Sequence, residues 1–120
     1  MKDAGEDQPF LIGGIKMIAD PLVERVVTRI AEAIHPEKII LFGSRATSNM
    51  RPDSDLDLLV ICDETVPKRD VKLAIRRLFP VQDFSMDLFV LTPDEFERQK
   101  KVVSTVGRTA YREGVVCYGR

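Results

Sequence analysis

The chain has 120 residues, 44% of them hydrophobic, enough for one compact domain with its own core. Its 18 basic and 19 acidic residues leave a formal net charge of -1, which argues against a polyanion-coating protein or a polybasic membrane binder. No apolar run approaches the roughly 20 residues of a membrane span, and the amino terminus lacks the basic-then-apolar order of a secretory signal, so a cytoplasmic protein is expected.

Residues 1–19 are expected to form a loosely held N-terminal extension ahead of a single domain over 20–120. Within the extension, "FLIGGIKMIA" is ambiguous, because Gly13-Gly14 interrupts an apolar run. Asp20-Pro21 opens the first clear helix: Asp suits the N-cap and Pro the first helical position. Val23, Val26, Val27, Ile30 and Ile34 then recur with helical spacing, and His35-Pro36 ends the pattern.

"KIILF" (38–42) and "DLDLLVIC" (55–62) predict buried strands. "VPKRDVKLAIRRLFP" (66–80) predicts a helix with Val71, Ala74, Ile75 and Leu78 inward and a solvated basic face. "FSMDLFVL" (84–91) predicts a third strand, and "TPDE" (92–95) a capping box that starts another helix. Helical pattern continues to Glu113 with a break near Ser104–Gly107, and "VVCY" (115–118) can add a last strand. The expected fold is α+β: a small mixed sheet in two layers, with its helices packed on one face. Cys62 and Cys117 lie in apolar runs and are expected as buried thiols, and His35 as a helix-end residue.

Two aspartates break the strand pattern. Asp55 and Asp57 are two apart, so an extended backbone aims both carboxylates at one face. Side by side they repel, and a divalent cation with a taste for hard oxygen ligands, such as Mg²⁺, removes the conflict. Asp87 sits inside the third apolar run, where an ionised carboxylate is costly unless paired or metal-bound. If the two strands are neighbours, the three carboxylates form one cluster. Gly43-Ser44 follows the first strand directly. Glycine permits close backbone approach, and Ser44 offers a hydroxyl and an amide suited to a phosphate. The P-loop spacing is absent.

Phe42-Gly43-Ser44, ten intervening residues, Asp55-Leu56-Asp57 and a later Asp87 together resemble the polymerase-β-like nucleotidyltransferase superfamily. "LFGSRA" and "PDSDLDLLV" look most like its small stand-alone branch, the minimal nucleotidyltransferases. The resemblance implies a two-metal Mg²⁺ site on Asp55, Asp57 and Asp87, with Asp87 also serving as base toward the acceptor hydroxyl. It implies that Gly43 and Ser44 bind the phosphates of an NTP, with Arg45 adding charge and Ser54 orienting Asp55. ATP would donate AMP, and pyrophosphate would leave. About 30 residues follow the Asp87 strand, so another chain is expected to complete the acceptor pocket, as a homo- or hetero-oligomer. In the minimal branch that partner is typically a small helical HEPN protein, a toxin for which the nucleotidyltransferase is the antitoxin. Nucleic acid is not expected as a direct substrate. Two further readings stay open: an antitoxin that acts by binding alone, and a transferase for small molecules of the aminoglycoside kind.

Overall fold

The computed structural model describes residues 11–12, 15–16, 20–46 and 55–119. In chain order these form β1 (Leu11–Ile12), β2 (Ile15–Lys16), α1 (Pro21–Ile34), β3 (Lys38–Phe42), a 3-10 turn (Ser44–Ala46), β4 (Leu56–Ile61), α2 (Lys68–Arg77), β5 (Met86–Leu91), α3 (Pro93–Gln99), α4 (Val106–Glu113) and β6 (Val115–Gly119). One sheet contains all six strands in the order β1-β2-β6-β3-β4-β5. β4 and β5 are parallel and the other pairs antiparallel, so the sheet is mixed as expected.

Local chemistry explains the helix ends. Asp20 caps α1 by accepting from Leu22 N at 3.1 Å and Val23 N at 3.4 Å, and Pro21 follows it. His35 closes the same helix in the left-handed region at φ 52°, next to Pro36. α2 is shorter than its pattern: Pro67 supplies its carbonyl to Asp70 N and Val71 N but no side-chain cap, so regular helix starts at Lys68. The break expected near Ser104 separates α3 from α4, with Ser104 at φ 71° and Thr105 capping α4 through Arg108 N.

Thr92 and Glu95 form the expected capping box: Glu95 N donates to Thr92 Oγ1 at 3.2 Å, and Thr92 N donates to Glu95 Oε1 at 2.8 Å. Replacing Thr92 with Ala is expected to cost about 1 kcal/mol of stability. Urea unfolding followed by circular dichroism measures it, with the slope against urea unchanged.

The apolar residues of each central strand alternate between two cores. Val23, Val26, Val27 and Ile30 of α1 and Val71 and Ile75 of α2 pack on Ile39, Leu41, Leu56, Leu58, Val60, Met86, Leu88 and Val90. On the opposite face, Phe96 of α3 and Ala110 of α4 pack with Ile40, Phe42, Leu59, Ile61 and Leu91. The α+β class stands, but the expected placement of all helices on one face does not: α1 and α2 cover one face, α3 and α4 the other. β3 and β4 have apolar residues on both sides, and water would reach the second set unless something covered it. Cys117 is buried and Cys62 half-buried, both without a disulfide.

Candidate active site

The end of the sheet where β3 finishes and β4 and β5 begin carries the candidate residues. β4 alternates strictly: Leu56 and Leu58 enter the α1–α2 core, so Asp57 between them faces the other way. The same holds for Asp87 between Met86 and Leu88 on β5. Parallel register then sets Asp57 directly beside Asp87, and antiparallel register sets it beside Phe42. Phe42 and Phe89, whose ring centroids are 5.8 Å apart, lie on this same face and wall the carboxylates from one side.

Asp55 differs from the sequence reading in one respect. The strand starts at Leu56, whose N donates to Ser85 O at 2.8 Å, so Asp55 precedes the ladder and is exposed. Its charge still reaches Asp57. The Asp57 carboxyl titrates at about 6 instead of 3.8. Burial is the largest cause, followed by a side-chain hydrogen bond with Asp87 and the negative charges of Asp87 and Asp55. A hydrogen bond between two carboxyl groups needs a proton on one of them, so below about pH 6 a proton sits where a cation would serve.

Gly43 closes the site from the β3 side. Its φ of +78° is the left-handed region, and a Cβ added there would overlap Asp57 Oδ2 and lie 3.0 Å from its Cγ. The backbone of the turn therefore rests against the Asp57 carboxylate, an approach only glycine permits. Ser44 heads the 3-10 turn and is exposed, and Ala46 N donates back to Gly43 O at 3.1 Å. Arg45 points elsewhere: its Nη1 donates to Asp20 Oδ2 at 2.6 Å, and its side chain is 5% exposed. Its charge thus ties the turn to the residue that caps α1. Ser54 lies outside the described residues.

The structure thus brings Gly43, Ser44, Asp55, Asp57 and Asp87 to one end of the sheet. The donor set is carboxylate oxygen alone, which fits Mg²⁺ and not a soft metal. Among the described residues, no three His, Cys, Asp or Glu side chains are gathered into a ready-made cation cage. Asp20 is the residue that sequence reading understated: its cap was legible, but its ion pair with Arg45 joins positions 25 apart and leaves no local pattern.

A family model described as a nucleotidyltransferase domain matches residues 23–115 of this chain. The protein belongs to that family. No curated protein matches it by sequence. Among solved structures it is similar to a toxin–antitoxin crystal structure with AMP-PNP, at a TM-score of 0.56 and 17% identity, covering 80% of this chain and 73% of that one. It is also similar to a double Asp-to-Glu mutant of the toxin–antitoxin pair MntA–HpeT, at a TM-score of 0.57 and 16% identity, covering 80% and 72%. Such identities speak for the shared fold. Among the described residues no helix is long and apolar enough to cross a membrane.

Proposed function

We propose that the protein transfers AMP from ATP to a hydroxyl on a small helical HEPN-type toxin, and so acts as its antitoxin. The observation that supports the transfer is the close approach of Gly43 to the Asp57 carboxylate, which sets the Gly43-Ser44 turn beside the carboxylates. Asp55, Asp57 and Asp87 would hold Mg²⁺, which supplies charge neutralisation at the α-phosphate. Gly43 and Ser44 hold the β- and γ-phosphates through backbone N–H groups and the Ser44 hydroxyl. Asp87 takes the proton of the attacking hydroxyl, the new P–O bond forms at the α-phosphorus, and pyrophosphate departs with its bonding pair. Supporting the antitoxin assignment, both neighbours are toxin–antitoxin structures, and one contains an ATP analogue.

The test is incubation with Mg²⁺, α-labelled ATP and the co-encoded helical protein. Label on the partner is the expected result; none, from a preparation that binds ATP, would sink the reading. One rival is neutralisation by binding alone. Under that rival, an Asp55→Ala plus Asp57→Ala protein still neutralises the toxin. Under transfer, it binds the toxin and fails to neutralise it.

A further inference from the structure

The turn that carries Ser44 is three residues long and Ser44 is exposed, so something must hold it in register with Asp57. Asp20 and Arg45 supply that hold. Asp20 uses its two carboxylate oxygens for different tasks. Oδ1 accepts from the backbone N–H groups of Leu22 and Val23 and starts α1. Oδ2 accepts from Arg45 Nη1 at 2.6 Å. The side chains are 11% and 5% exposed, so the pair is shielded from water and salt. Asp20 thereby fastens the turn to the amino end of a 14-residue helix whose inner face is part of the main core.

Consequences for the site follow from chain connectivity. Arg45 is two residues from Gly43, and Gly43 has no clearance from the Asp57 carboxylate. A turn that drifts outward takes the Ser44 amide and hydroxyl with it. We propose that Asp20 and Arg45 are a positioning pair for the nucleotide phosphates: they act through the turn, by keeping Ser44 at a fixed distance from Asp57. The assignment rests on the nucleotidyl-transfer reading for what the turn binds, but not for the tether itself.

Asp20→Asn separates the two tasks. An asparagine Oδ1 still caps α1, while the amide Nδ2 that replaces Oδ2 meets Arg45 Nη1 donor to donor. Thr92→Ala serves as the control, since it weakens the fold at the α3 cap on the other side of the sheet. Two readouts are compared at equal loss of melting temperature: hydrogen exchange at the Gly43–Ala46 amides, and binding of Mg²⁺-AMP-PNP. The positioning role predicts exchange at least tenfold faster in Asp20→Asn, confined to the turn, and nucleotide affinity about tenfold weaker, with neither change in Thr92→Ala. Arg45→Lys, which keeps a cation opposite Asp20, recovers part of both. Exchange in Asp20→Asn no faster than in the control overturns the tether. A loosened turn with unaltered nucleotide affinity overturns the positioning role. Wild-type protein that binds no nucleotide, with the turn still loosened by Asp20→Asn, overturns the transferase reading and leaves the tether standing.

Discussion

Under the proposed transfer chemistry, Asp57→Asn is expected to cut transfer sharply and at the same time to stabilise the fold. The two effects come from one cause. Asp57 is held partly buried beside Asp87, within reach of the charge on Asp55, and its carboxyl is pushed up to about 6. Folding therefore raises its proton affinity. Between pH 3.8 and about 6 the folded chain binds more protons than the unfolded one. Stability from this group is full below that window and is lost as pH rises through it. At pH 7 wild-type protein carries the whole penalty, and an uncharged asparagine of the same shape does not. The expected result is a melting temperature raised by up to a few degrees at pH 7, with the gain vanishing near pH 4. Activity moves oppositely: a neutral amide is a poor ligand for a hard cation, and transfer falls on the order of 10³-fold. Calorimetry at both pH values and a labelled-ATP assay check the two halves. A variant that loses stability at pH 7 contradicts the account.

The same titration predicts how nucleotide binding depends on pH. Cation and proton compete for the Asp57 carboxylate, so Mg²⁺-dependent binding of AMP-PNP weakens as pH falls through about 6. Without Mg²⁺ the dependence on this group should flatten or reverse, because deprotonation then adds only repulsion between the protein and the triphosphate.

Much of this site could be read from the residues. The Asp20-Pro21 start, the Thr92–Glu95 capping box and the apolar runs of β3, β4 and β5 each depend on neighbours in sequence, and each formed. The pairing of Asp57 with Asp87 was legible for a related reason: each interrupts a strand whose flanking residues belong to the core, so alternation alone sets its face. Three features were not legible in this way. β1 and β2 have two residues each, too few for any periodicity, and β2 is held through the pairing of Ile15 with Tyr118 at the far end of the chain. The division of helices between two faces was present as a signal, in strands apolar on both sides, but its weight shows only when Phe96 and Ala110 are seen against Ile40 and Leu59. The Asp20–Arg45 pair needed the fold to bring its partners together.

Gly43→Ala carries the second large expected effect, and it separates backbone strain from crowding at the site. The φ of +78° alone makes any Cβ unfavourable, by about 1–2 kcal/mol. The new methyl would also overlap Asp57 Oδ2, with Asp57 Cγ at 3.0 Å and Cβ at 3.3 Å, so the carboxylate must swing away or the turn must lift. Either movement separates Ser44 from the carboxylates, and displacements near 1 Å cost about 100-fold in rate. Transfer should therefore fall at least that far, while the core of β3, β4 and β5 persists. A double-mutant cycle assigns the loss. In an Asp57→Ala background the carboxylate is gone, and Gly43→Ala should cost only the backbone strain. The predicted coupling is about 1 kcal/mol in urea unfolding, in the sense that the two changes together are less damaging than their sum. Strict additivity would mean that the methyl and the carboxylate never meet. The turn would then stand apart from Asp57, and the glycine would serve the chain reversal alone.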